Sequence, residues 1–556
     1  MHTGITNDEK RCYIQFSLIF PVLVFFSFLE FILNGKVFLV SDTISEYVTS
    51  LAYWGNYLRN AFRSPQWDFS VGMGADVIST LNWYVAGDPL TLLSVFVKPE
   101  KTIYLHHVLV VLRLYLSGMA FLFYCNHTEQ NREYYVCGAL IYVFSGYAMF
   151  LAYRHTYFIN SFIYLPLLYA GIEKILHGRS PVFFSIVVFV SCVTNFYFFY
   201  ILSILTLVYA LVRFFFVHRE NRLRNLTRCF STAFLGYMIG VLLASAIFVP
   251  NVFGFLGCGR SGSTPTIPLF YNLIYYFKIV IASIAPFHSF SYTYFGFAPV
   301  FLPLLILCFI RKGNRELKVF GIIYLVFLTF PIIGSAFNGF GYITNRWGFA
   351  NSFFAGILLV RIFPKLVAIS KKEYKYVFGI PLLMSMVVFI GCFVPGGDIS
   401  NDIRSACLLS YVLLCMTLGL IFFLNAHREK INTKSVRRVF FVLVCVSVSV
   451  NAYERFSPRY MNYVSDFFDR GWANPTAFGS ADALANETHD DTFWRYEYPI
   501  KRLPNNSMLF FVMPSSTRKT YGNVKFASAL TKLNAAFFLS DFCAITRNIH
   551  DCGEKG

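Results

Sequence analysis

Long apolar runs recur along this chain, separated by short loops rich in lysine and arginine. A run of about 18–20 apolar residues is long enough to cross the hydrocarbon core of a bilayer as a helix. No water is present there to solvate the backbone, so each crossing must satisfy its own hydrogen bonds, as a helix does. The pattern therefore predicts an all-α polytopic membrane protein. Composition agrees: of 556 residues, 56% are hydrophobic and 14% charged, far from the balance of a soluble domain. No small-residue cleavage pattern follows the first apolar run, which reads as a retained helix.

The net charge is +18. Because the basic residues sit mainly in the short loops, this is the cytoplasmic bias of membrane proteins rather than a nucleic-acid footprint. The loops Lys10-Arg11, "EKILHGR", 218–228, 311–318, 365–375 and 427–438 are placed on the cytoplasmic side, and the loop 127–133, "HTEQNRE", is a slightly acidic exception. Spans are expected at 12–33, 103–125, 134–151, 156–176, 229–254, 293–310, 319–337, 346–363, 376–394, 403–425 and 438–452. The stretch 181–217 is too long for one crossing and has basic loops at both ends, so it must cross twice, splitting near 193–200. About 13 crossings result, with the N terminus in the cytoplasm and the C terminus outside. The 13 cysteines lie mostly in apolar runs and show no CxxC or metal-ligand spacing. No repeat of 20–50 residues is visible.

Residues 1–452 form the membrane domain on this reading, and 453–556 a polar extracytoplasmic α+β segment. Two long outer loops stand out. In the first, 34–102, Ile44, Tyr47, Val48, Leu51, Trp54, Leu58 and Phe62 recur at steps of three and four, predicting a helix that lies in the membrane interface. The second, 255–292, carries "GCGRSGS" and then an apolar stretch suited to another interfacial helix.

The polar residues that break these patterns are the candidate site. Asp42 follows the first apolar run, and Thr43-x-x-Glu46 fits a capping box. Asp42 can cap a helix there. A carboxylate at the edge of hydrocarbon is also partly desolvated, which raises its basicity and suits a general base. Glu46 is either the box partner or a second acid. Arg346 in "YITNRWGFAN", Arg260 in "GCGRSGS" and the pair Arg154-His155 lie on the outward side, where basic residues are scarce. Each can anchor a helix at the interface, with Trp347 as a belt residue. A guanidinium is equally suited to a lipid phosphate. Asp88 precedes a proline and caps or turns the chain, and Asn195, Tyr197 and Tyr200 sit where 181–217 must turn. The GxG in "SVGMGAD" has no phosphate-loop context, and no HExxH, GxSxG or Walker sequence is present.

The stretches "SDTISEYVTSLAYWGNYLRN", "WDFSVGMGADVISTLNWYVAGDPLTLL", "VTNFYFFYILSILTLVYALVRFF", "GVLLASAIFVPNVFGFLGCGRSG" and "GYITNRWGFAN" together resemble the bacterial YfhO-like integral membrane proteins, a branch of the GT-C superfamily of glycosyltransferases. "FWRYEYPIKRLPNNSMLFF" looks like the start of that family's outer domain, although the polar region here is shorter and lacks a closing span. The resemblance implies a GT-C-like bundle with interfacial helices in the first outer loop. It implies a polyprenyl-phosphate sugar donor and a cell-envelope glycan acceptor of the teichoic-acid or wall-polysaccharide type, in the bacterial cytoplasmic membrane. Asp42 would be the base of an inverting transfer. Substrate would be held by Arg346, Arg260, Arg154, His155, Glu46, Tyr47 and Asp88, with Trp54 and Trp83 as sugar-stacking surfaces. No cofactor is expected; a divalent metal is compatible but not required. Two other classes fit the same features: a transporter or flippase of lipid-linked sugars, and a non-catalytic envelope-assembly protein.

Overall fold

The computed structural model describes residues 7–37, 39, 43–61, 66–68, 75–129, 131–257, 266–284, 288–289, 292–366, 368–391, 401–427, 432–456, 467, 469–470, 496–503, 506–512 and 523–524. Among them, seven helices are long and apolar enough to cross a membrane, or eight if Arg132–Val143 and Gly146–Arg154, bent by 46°, form one span. Helices also stand at the other expected spans, but Val182–Thr194 and Phe301–Ile310 are shorter than a straight crossing.

The long stretch 181–217 does divide, into Val182–Thr194 and Phe196–Val217. Asn195 makes the break. Its side chain accepts from the Phe198 amide (2.9 Å), capping the second helix, and donates to the Trp83 carbonyl of the first outer loop (2.7 Å).

Phe349–Leu366 lies at the centre of the bundle, 83% of its span buried. It crosses Tyr135–Val143 where glycines face each other: a Cβ on Gly356 would lie 2.8 Å from the Gly138 carbonyl. Without a hydrophobic drive between helices in lipid, such close approach is what holds them together. Thr102–Thr128 packs on both Asn160–Leu176 and Tyr135–Val143.

The basic loops meet at one end. Arg213 binds Glu173 (2.6 Å) and Glu316 (2.7 Å), and Arg361 binds Glu316 (3.2 Å) and Glu129 (2.6 Å). Arg311 pairs with Glu373 at 2.7 Å. These contacts account for the acidic exception at 127–133: Glu129 answers Arg361, and Glu133 answers Arg437.

In the first outer loop, helix Thr49–Arg59 follows a π-helical turn, Thr43–Val48. Its apolar face is covered by protein. Tyr47, Leu51 and Trp54 are buried against Val77, Leu81, Leu105, Leu109 and Tyr157, because a protein surface is there to receive them. The lipid-ready surface comes later, in Pro89–Phe96, where Leu92, Leu93 and Phe96 are exposed. The second outer loop contains helix Leu273–Ile284. Beyond the last helix, Thr433–Phe456, the chain returns to the first: Lys36 pairs with Asp469 at 2.8 Å, and the Phe31 and Phe467 rings meet edge-on at 4.8 Å. Strands Tyr496–Leu503, Asn506–Val512 and Asn523–Val524 form a small antiparallel sheet.

Candidate functional site

At the end of the bundle opposite the paired basic loops, Arg346 sits in an aromatic cage. Fifteen residues, about 22 Å of helix rise, separate it from Arg361. Its guanidinium carbon lies 4.9 Å from the Tyr292 ring centroid, 5.4 Å from Phe158 and from Tyr197, and 5.7 Å from Tyr342. Each face of a ring attracts the cation. Among the described residues no carboxylate pairs with it, and its Nε is shielded from solvent with no hydrogen-bond partner. An orphaned buried donor costs about 1–3 kcal/mol, so this nitrogen calls for an acceptor that the described residues do not supply.

The backbone here is fixed by its neighbours. The Tyr147 hydroxyl donates to the Arg346 carbonyl (2.9 Å). Asn345 is buried and donates to the Thr293 hydroxyl (2.9 Å), while the Trp347 indole donates to Asn345 Oδ1 (3.2 Å). Trp347 is fully buried against Tyr324, Phe327 and Phe337. It is a core residue and not the interfacial belt residue the sequence suggests, since the chain enters the bundle before this point.

His155 stands beside the cage, brought there by a bent pair of helices. Ser145 caps Gly146–Arg154, and the Gly146 amide donates to the Phe295 carbonyl (2.7 Å), a contact too close for a side chain at that position. His155 Nδ1 is 2.9 Å from the Tyr47 hydroxyl, and its Nε2 is 3.1 Å from the Tyr292 hydroxyl. One nitrogen donates and the other accepts in the neutral ring. The imidazole stacks on Phe158 at 4.8 Å, so Phe158 and Tyr292 each touch both His155 and Arg346. Tyr47, His155 and Arg346, three of the expected substrate residues, thus form one cluster. Arg154 is the residue before His155, half-buried and engaged with its surroundings.

Asp42 and Arg260 lie outside the described residues, as does the side chain of Glu46. Trp83 stacks on Tyr197 at 5.9 Å, on the outer side of the cage. Trp54 is packed inside the first loop against Tyr57, at 5.5 Å. Asp88 has another task. It caps Pro89–Phe96 through the Leu90 amide (3.0 Å) and is almost fully buried. Its other oxygen accepts from Arg113 (2.7 Å) and Asn160 (2.8 Å), pinning the loop to the bundle.

Tyr292, Phe158 and Tyr342 were not singled out from sequence, because they come from separate loops and only the fold collects them. Tyr292 has a positive φ of 65°, uncommon outside glycine. Arg113 did carry a signal: it lies inside an apolar helix of 27 residues, where an ionisable group demands a partner. Among the described residues, no three His, Cys, Asp or Glu side chains group in a way that could hold a metal.

Residues 17–539 match the family described as bacterial membrane protein YfhO. The chain belongs to the YfhO family. YfhO of Bacillus subtilis (strain 168) is 25% identical over 317 residues, covering 52% of this chain and 34% of the relative. The match thus spans about a third of that relative's length. Among solved structures, ArnT from Cupriavidus metallidurans, bound to undecaprenyl phosphate, aligns over 88% of this chain and 82% of its own, with 14% identity and a TM-score of 0.38. That likeness is too loose to transfer a ligand or a residue role to this YfhO-family chain.

Proposed function

We propose that this protein is a GT-C-type membrane glycosyltransferase that moves a sugar from a polyprenyl-phosphate donor to a cell-envelope glycan outside the cytoplasm. The observation that carries this reading is the Arg346 cage: a guanidinium with four aromatic walls, no carboxylate partner among the described residues and an orphaned Nε. A lipid phosphate supplies the missing acceptor oxygens and charge. The isoprenoid tail would stay in the bilayer, and the sugar would face the first outer loop.

In this mechanism Asp42, one residue before the π-helical turn that carries Tyr47, removes the proton from an acceptor hydroxyl. The oxygen attacks the anomeric carbon, the bond to the lipid phosphate breaks, and the configuration inverts. Arg346 stabilises the phosphate as its charge develops. The bridge from Tyr47 through His155 to Tyr292 holds the cage and the loop in register. Trp83 offers a stacking face for a sugar.

The test uses the purified full chain, a polyprenyl-phosphate sugar and an envelope glycan. Covalent transfer that is lost in both Asp42→Asn and Arg346→Ala supports the enzyme. Movement of the lipid-linked sugar across a vesicle membrane with no new glycosidic bond would establish the flippase instead.

A further inference from the structure

Helices Phe196–Val217 and Arg222–Leu243 are joined by only four residues, yet they splay apart. Between them runs an apolar cavity of about 400 Å³, walled by Leu207, Ala210, Leu211, Phe230, Ala233 and Phe234. The cause is a competing contact. Gly236 and Gly240, one turn apart, draw Arg222–Leu243 onto Val182–Thr194. A Cβ at Gly240 would lie 2.6 Å from Val188 Cγ1 and 2.7 Å from the Ser185 carbonyl, and one at Gly236 would lie 3.1 Å from Pro181 Cβ. This is the close small-residue packing of membrane helices. An unfilled trough forfeits dispersion contacts along its whole lining, and its volume is that of a ligand site.

The trough reaches the basic-loop end. Leu176, Phe214, Leu226 and Cys229 line this end of it, and His218 Nε2 donates to the Leu176 carbonyl (3.1 Å). Arg222 lies one turn before Leu226 on the same helix face. Arg219, Arg222, Arg224 and Arg228 are exposed; Arg219 lies in the connection between the two helices and Arg222 on the trough's face, whereas Arg224 and Arg228 lie round the far side of the helix, Arg228 against Gly178. Glu220 is the one acidic residue of the segment 218–228. Among the described residues, none of these four arginines pairs with a carboxylate, whereas Arg213, Arg311 and Arg361 at the same end all do.

We propose that this trough is a binding site for an anionic glycerophospholipid, with an acyl chain in the cavity and the headgroup phosphate on Arg219 and Arg222 at its end. It stands apart from the Arg346 site. The phosphate sits at the opposite end of the bundle, and the trough's polar lining is too sparse for anything but hydrocarbon.

The experiment is native mass spectrometry of the full chain after delipidation, titrated with phosphatidylglycerol, phosphatidylcholine or undecaprenyl phosphate. Phosphatidylglycerol should bind at about one molecule per chain and in preference to phosphatidylcholine. Replacing Arg219 and Arg222 together by Gln should lower its affinity about 25-fold, at about fivefold per basic residue, whereas Gln at Arg224 and Arg228, on the far side of the helix, should lower it less. Ala210→Phe with Ala233→Phe should fill the trough and abolish retention. Because the Gln variants change only exposed side chains, they keep the test valid should the plugged variant misfold. Equal binding of the two phospholipids, affinity unchanged in the Gln variants, or undecaprenyl phosphate outcompeting phosphatidylglycerol in the trough would overturn the proposal.

Discussion

The two ends of the bundle treat buried arginine in opposite ways. At the basic-loop end, Arg213 and Arg361 share Glu173, Glu316 and Glu129 in one network. At the other end, Arg346 is surrounded by aromatic rings and meets no carboxylate among the described residues. A charge in hydrocarbon must be compensated. Where the described residues supply the counter-charge, the arginine is structural; at Arg346 they supply only ring faces, and the counter-charge has still to be met. Arg113 shows that the division follows the partner and not the end of the bundle, for it lies near the cage and is closed off by Asp88.

That contrast can be broken most forcefully at Arg113. Arg113→Ala leaves Asp88 buried and unpaired, which should cost about 3–5 kcal/mol in thermal or denaturant unfolding in detergent. Arg346→Ala should leave the same unfolding transition within about 1 kcal/mol of the parent, since no internal ion pair is lost; a drop as large as that of Arg113→Ala would make Arg346 structural too. Asp42→Asn should lower sugar transfer at least about a hundredfold with folding intact. Transfer at the parent rate would remove Asp42 as the base. For Arg346→Ala, affinity for a polyprenyl phosphate, measured by titration, should fall by about tenfold or more, the worth of a charged hydrogen bond. Asn195→Ala removes a helix cap and should cost about 1 kcal/mol.

A smaller effect concerns pH. The Arg311 guanidinium holds the Glu373 carboxyl down to about 2, from an ordinary 4.5. A depressed carboxyl stabilises the fold above its unfolded pKa, and that contribution disappears as pH falls from about 4.5 towards 2. Glu373→Gln should flatten the loss of stability in that window, as followed by unfolding against pH.

Much of the fold was legible in the sequence, because hydropathy and loop charge are local signals. The forced division of 181–217, expected near 193–200, falls at Asn195. The first outer helix was also read correctly, but its environment was not: periodicity shows that one face is apolar and says nothing of whether lipid or protein covers it. The site was legible only in part. Arg346 and His155 stand out as polar groups on the outward side, Tyr47 only as part of an apolar helix face, whereas Tyr292 and Phe158 look like any aromatic residues of an aromatic-rich chain. Asp88 was open to both a capping role and substrate binding, and its Arg113 partner lies 25 residues away, beyond the reach of any local pattern.

The contact between Arg113 and Tyr157 has a mechanical consequence. The Arg113 guanidinium rests 4.6 Å from the Tyr157 ring, and Tyr157 meets Tyr47 edge-on at 5.2 Å. Tyr47 in turn holds His155. The first outer loop is therefore latched to the bundle at two points, Tyr47 through Tyr157 and His155, and Asp88 through its ion pair with Arg113, so neither point can swing away without breaking these contacts.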